Sequence, residues 1–197
     1  MKPINAAPTK NFFVDMLTRD IDLKDAILDL LDNCVDGIQR TLRDEEDNEA
    51  NPDLPYEGFW ADIELSETCF QISDNCGRIP LDVARRYAFR MGKPKGINDD
   101  DDIATIGTYG IGMKRAIFKM GQSAQVRSQT AKDAFQVSIQ PGWLASDQSW
   151  NLPIEMTDDF LEAPGTIVEV QSLKSEIATQ LGSKSFQADL SREIEAL

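Results

Sequence analysis

Apolar residues recur at three- and four-residue intervals through Ile21, Leu23, Ile27, Leu30, Leu31, Cys34, Val35, Ile38 and Leu42. That spacing puts them along one side of a helix and predicts a long amphipathic helix over about 20–42, capped near Asp20 or Asp22. The pattern then breaks. Residues 43–55, RDEEDNEANPDLP, are acidic, hold two prolines and show no periodicity, so an exposed loop or a frayed helix end is expected. Short apolar runs at 59–65 (FWADIEL) and 69–73 (CFQIS), joined by Ser66, Glu67 and Thr68, predict a β-hairpin. A helix opened by Pro80 is expected over 81–91. It leads into a loop, MGKPKGINDDDD, rich in Gly, Pro and Asp. A second amphipathic helix is expected over about 111–120, then strands over 124–129, 134–139 and 166–171, with Trp143 and Trp150 in connecting segments. Residues 173–197 read as mostly helical with a break at Gly182. Helices interleaved with hairpin-like strands predict an α/β or α+β two-layer sandwich. There is no internal repeat, and the last helix ends without a Gly or Asn cap, so the chain is expected to be an N-terminal piece of a longer protein.

Composition narrows the chemistry. With 197 residues a single core of useful size is expected. Thirty-four acidic residues against 20 basic ones give a net charge of -14. That balance argues against this segment gripping a nucleic-acid backbone by itself. The absence of histidine removes Ser-His-Asp and Cys-His devices and imidazole-built zinc sites, leaving carboxylates, lysines and backbone dipoles. Cys34, Cys69 and Cys76 show no metal-ligand spacing and suit reduced thiols, which favours a cytoplasmic setting. No secretory signal or membrane-spanning run is evident, so no membrane partner is expected.

Four short motifs bear on function. In DAILDLLDNCVDG, residues 25–37, Asp29, Asn33 and Asp36 share one helix face and can present carboxylate and amide to one ligand, although an ordinary solvated face has the same spacing. In ISDNCGRIP, residues 72–80, Asp74 leaves an apolar strand and enters a glycine-containing turn, a pattern that a plain Asp-Asn turn also shows. In IGTYGIGMKRAIFKMG, residues 106–121, Gly107, Gly110 and Gly112 precede a helix whose free N–H groups and positive dipole end suit phosphate. The spacing is neither a Walker A loop nor a Rossmann fingerprint. In PGTIVEV, residues 164–170, Gly165 and Thr166 open a hydrophobic strand.

Together, in this order, the motifs resemble the GHKL ATPase superfamily of gyrase, ninety-kilodalton heat-shock chaperones, sensor histidine kinases and MutL, and are nearest to MORC-like and prokaryotic stand-alone members. The resemblance implies a Bergerat ATP-binding fold, a mixed, mostly antiparallel sheet covered on one face by helices. It divides the chain into an ATP-binding domain over 1–172, with an acidic loop at 43–58 and an ATP lid at 91–109, and a helical segment over 173–197. It implies ATP and Mg2+ as ligands. Asp29 takes the general-base position, and Asn33 the magnesium-ligand position, with Asp36 beside them. Asp74 accepts the adenine amino group, with Gly77, Ile79, Met91 and Thr166 around the base. Gly107, Tyr109, Gly110, Ile111, Gly112 and the backbone at Met113 and Lys114 meet the triphosphate, with Lys95, and Lys93 beside it, as lid contacts.

The sequence departs from the family in two places. Asp29 stands where glutamate is usual, which sets the carboxylate back by roughly 1.5 Å and points to slow turnover, since a displacement near 1 Å can cost on the order of 10²-fold. The turn Asp74-Asn75-Cys76-Gly77-Arg78 carries one glycine where the family has two. The expected function is Mg-dependent ATP binding and slow hydrolysis that drive lid closure and dimerisation of a larger molecular clamp. The alternatives are a nucleotide-gated sensor with negligible hydrolysis and a chaperone-type ATPase. A lysine or arginine from a following domain is expected to complete the γ-phosphate site, with no place evident for it within this chain.

Overall fold

The computed structural model describes residues 4, 6–44, 54–92, 111–158 and 160–196. Its helices are α1 (Lys10–Thr18), α2 (Leu23–Asp44), α3 (Leu81–Val83), α4 (Gly112–Met120), α5 (Pro141–Leu144), α6 (Ser175–Leu181) and α7 (Lys184–Ile194). Its strands are β1 (Ala61–Leu65), β2 (Phe70–Asp74), β3 (Gly121–Gln129), β4 (Ala134–Ile139), β5 (Ile154–Met156) and β6 (Gly165–Leu173). They form one six-stranded sheet in the order β1-β2-β6-β3-β4-β5, with antiparallel neighbours throughout. The sheet is antiparallel among the described residues, in keeping with the mostly antiparallel one expected, and no parallel pair is seen among them.

Period-two patterning decides which face is covered. Register puts Phe70, Ile72 and Asp74 of β2 opposite Val170, Val168 and Thr166 of β6, and the latter opposite Ala124, Val126 and Ser128 of β3. These residues are all buried on one side. Gln71, Gln125, Gln136, Glu155 and Glu169 take the alternate positions and remain half-buried or exposed. There Gln136 bridges Gln125 at 3.2 Å and Glu155 at 2.7 Å. The apolar face is covered by Ala26, Ile27, Leu30, Cys34 and Ile38 of α2 and by Ala116, Ile117 and Met120 of α4, in one continuous core. The two-layer α/β sandwich follows from that alternation.

The observed elements extend or modify the expected ones. α2 occupies the predicted amphipathic stretch, and Gly182 separates α6 from α7. The helix expected over 81–91 is α-helical only at Leu81–Val83 and continues as a π-helical turn over Ala84–Ala88. Its terminal carbonyl, that of Ala88, is capped by Lys114 Nζ at 2.7 Å. Three elements had no counterpart in the sequence reading, α1, α5 and β5. α1 is anchored by buried Lys10, whose Nζ donates to the carbonyls of Trp143 (2.7 Å) and Ser146 (2.5 Å) and lies 4.0 Å from the Trp143 ring centroid. β6 runs to Leu173, and α6 and α7 contribute Ile177, Leu181 and Leu190 to the same core as the sheet. The 173–197 segment therefore packs with the rest. No helix among the described residues is long and apolar enough to cross a membrane.

Candidate functional site

α2 carries one face of the site along its length. Asp29 and Asn33, one turn apart, are joined by a bond from Asn33 Nδ2 to the Asp29 carbonyl at 2.8 Å. This uses the amide's donor end and leaves Oδ1, the end a hard cation needs, to a ligand. A turn further on, Gly37 lies directly against the segment after β2. A Cβ built there would stand 2.5 Å from Gly77 Cα and 3.0 Å from the Cys76 carbonyl. Thr41 Oγ1 reaches that carbonyl at 3.3 Å while also bonding the Gly37 carbonyl at 3.0 Å. Asp36 lies on the same helix and is half-buried.

The second part of the site is the end of β2. Asp74 is 6% exposed, and its Oδ1 accepts from the backbone N–H of Cys76 (2.8 Å) and Gly77 (3.0 Å), an Asx-type turn that folds the chain back toward α2. Thr166, its register partner on β6, donates to the Gly77 carbonyl at 2.6 Å. The strand crossing is tight, since a Cβ at Gly165 would lie 2.0 Å from the Asp74 carbonyl oxygen. Asn75 closes the outer side by accepting from Trp60 N (2.7 Å) and donating to the Gly58 carbonyl (2.9 Å). Ile79 is tied to β3 by its N–H to Ser128 Oγ at 2.8 Å. Cys76 is accommodated in the turn by burial, with its thiol on the Trp60 carbonyl at 3.2 Å. Hydrogen bonding from the Cys34 thiol pulls the Cys76 thiol below its ordinary range, and the same contact, with burial, pushes Cys34 up.

The third part is the start of α4. Ile111 is its N-cap and accepts from Arg115 N at 2.8 Å. Gly112 faces Asp29, for a Cβ on it would lie 3.9 Å from Asp29 Oδ2. Met113 and Met91 are half-buried against the core. The adjacent cations diverge. Lys114 is 2% exposed and turned to the Ala88 carbonyl, and burial lowers its pKa to about 8. Arg115 Nη2 instead pairs with Asp29 Oδ2 at 2.7 Å, with 34% and 28% of the two side chains exposed.

Asp29, Asn33, Gly112 and Arg115 thus form one cluster, and Asp74, Gly77, Thr166 and Gly37 form another. Both lie along α2. Lys93, Lys95, Gly107, Tyr109 and Gly110, with most of the 91–109 segment, lie outside the described residues. Sequence reasoning did not single out Arg115, Gly37 or Thr41; the only local signal for Arg115 was a basic doublet opening a helix in an acidic chain. A separate groove of about 770 Å3, between the π-helical turn and residues 150–152, shares no lining residue with either cluster. Among the described residues no group of three or more Cys, Asp or Glu side chains is arranged to hold a metal by itself. No protein-family model matches this chain, and no curated protein matches it.

Proposed function

We propose that this chain is an ATP-binding domain of the GHKL type, which binds Mg-ATP and hydrolyses it slowly to drive closure and dimerisation of a larger clamp. The observation that carries the reading is the Asp74 carboxylate. It is buried beside Thr166 and fixed by two backbone N–H groups, with the Asp29–Asn33 pair on the helix that roofs it. A buried acceptor at a strand end is suited to read an exocyclic amino group, and a nearby amide and carboxylate suit the metal-bearing end of a triphosphate. Eight residues of α2, about 12 Å of helix axis, separate Gly37 at the base end from Asp29 at the phosphate end.

Asn33 Oδ1 is the donor that fits magnesium, a hard cation bound by oxygen that takes most of its shell from phosphates and water. Asn33 would hold magnesium through that oxygen, and the ion would supply neutralisation of the triphosphate charge. Asp29 orients the attacking water and takes its proton as the water oxygen bonds the γ-phosphorus. The bond from that phosphorus to the β–γ bridging oxygen breaks, and ADP departs with that oxygen. The N–H groups opening α4 face the transferred charge.

A second reading, a nucleotide-gated binding module with negligible hydrolysis, is favoured by one observation: Arg115 already occupies an oxygen of Asp29. Single-turnover phosphate release with protein in excess over Mg-ATP separates the two. Asp29→Asn should slow release by about 10²-fold or more, and Asn33→Ala should remove the dependence on magnesium. Bound ATP with no release by the wild type supports the module, and equal rates for wild type and Asp29→Asn remove Asp29 as the base.

A further inference from the structure

We infer that Arg115 is the in-chain cation for the terminal phosphate, and that its pairing with Asp29 is a latch the triphosphate opens. The inference rests on the ATP reading above and deepens it, because the sequence offered no place within this chain for such a cation. The geometry points to it in four ways.

Arg115 touches Asp29 directly, Nη2 to Oδ2 at 2.7 Å, across 86 residues of sequence. If Asp29 orients the attacking water, that water sits about 2.8 Å from a carboxylate oxygen and about 3–3.5 Å from the γ-phosphorus. The terminal phosphate then lies within about 6 Å of Oδ2, inside the sweep of a guanidinium already bonded there. Next, the guanidinium is under-used. Its Nε is buried without a hydrogen-bond partner among the described residues, although the group offers five donors in a fork that matches phosphate. A buried donor without a partner is costly, and phosphate oxygens supply acceptors that one Asp29 oxygen does not. Thirdly, the neighbouring cation is committed elsewhere, because Lys114 is buried on the Ala88 carbonyl. Finally, Arg115 lies in the first turn of α4, beside Gly112, at a helix start whose N-cap Ile111 makes no side-chain cap bond and whose dipole favours the same anion.

The arrangement is competitive. With no terminal phosphate present, Arg115 holds Asp29 and one carboxylate oxygen is engaged. A γ-phosphate, carrying more charge and more acceptors than one carboxylate, draws the guanidinium away and leaves Asp29 to water. A diphosphate does not reach, so the latch distinguishes ATP from ADP.

Competition fixes opposite signs for the two halves of the pair. The full chain is titrated calorimetrically with Mg-ADP and with the magnesium complex of a β,γ-imido ATP analogue, alongside thermal melts of every variant. Arg115→Ala should weaken the analogue by about tenfold or more and leave ADP within about twofold. Asp29→Asn releases Arg115 and should tighten the analogue by about threefold or more, again with ADP unchanged. Arg115→Lys, which keeps the charge without the fork, should fall between wild type and Arg115→Ala, and serves if the alanine variant melts early. A purely structural ion pair would instead make Asp29→Asn and Arg115→Ala act in the same direction and on both nucleotides alike; that result overturns the latch while leaving ATP binding intact. Failure of the wild type to bind either nucleotide removes the ATP reading and the latch with it.

Discussion

Lys114 and Arg115 are consecutive on α4 and answer to different physics. Lys114 is sealed beneath the π-helical turn, where its Nζ donates to the Ala88 carbonyl, and its ammonium is disfavoured by burial. Its pKa falls from 10.5 to about 8 on folding. Below about pH 8 both folded and unfolded chains hold the proton, and the folded one bears the whole cost of the buried charge. Between about 8 and 10.5 the unfolded chain binds more protons, so stability rises with pH across that window. The rise should be on the order of 3 kcal/mol. Urea titrations of wild type and Lys114→Met from pH 7 to 10.5 check this. The variant should lack the rise, and subtracting it removes other titrating groups such as Lys174, also lowered by burial. Parallel curves would mean that Lys114 does not carry the effect. Arg115, with 34% of its side chain exposed, turns instead to Asp29, which is why it faces the candidate site while its neighbour Lys114 faces the core.

At the scale of elements, the site depends on α2 lying directly on the turn after β2. Gly37 makes that possible, since a methyl group there would meet Gly77 Cα at 2.5 Å. Gly37→Ala should cost about 1–3 kcal/mol, the usual range for over-packing, and should also weaken nucleotide binding by moving the Asp74 turn. Gly142→Ala, where a Cβ would meet nothing within 4 Å, is the matched control and should be close to neutral. Denaturant midpoints of the two variants decide the matter. The same elements show what the sequence made legible. α2 was readable because its buried residues keep a helical period from Leu23 to Ile38, and β4 because it alternates over Ala134–Ile139. α1 was hidden because its buried face is Lys10, Val14 and Thr18, whereas Phe12 and Met16 are 60% and 49% exposed. A polar residue buried by cation–π and carbonyl contacts inverts the pattern that periodicity relies on. β5 was hidden because three residues give no period, and its strand character comes from pairing with Phe135–Val137. That Asp29 and Asn33 lie one turn apart on the same helix face was legible from spacing. Arg115 was not, because its partner is 86 residues away and only the packing of α4 on α2 brings them together.

Across the whole molecule, one apolar sheet face buries α2, α4, α6 and α7 in a common core, and the opposite face stays polar. The candidate site lies at the end of that core where β2, β6 and α2 meet, so its residues are held by the packing of the fold itself. A net charge of -14 surrounds it. On the proposed reading, an anionic ligand would have to be met by local features, namely the start of α4, the Arg115 guanidinium and a magnesium ion that Asn33 would hold, rather than by the field of the protein. The acidic tract at 99–102 lies outside the described residues. Within this frame the proposed role of Asp74 is to read adenine. Its sharpest test is Asp74→Asn, because an asparagine Oδ1 can still accept from Cys76 and Gly77 and so preserves the turn while removing the carboxylate. Calorimetric titration of Mg-ATP and Mg-GTP against wild type and this variant is the measurement. The wild type should bind Mg-ATP at least about tenfold tighter than Mg-GTP, and the variant, with an unchanged melting temperature, should lose at least about tenfold in Mg-ATP affinity. A folded Asp74→Asn protein that binds Mg-ATP as tightly as the wild type would contradict it.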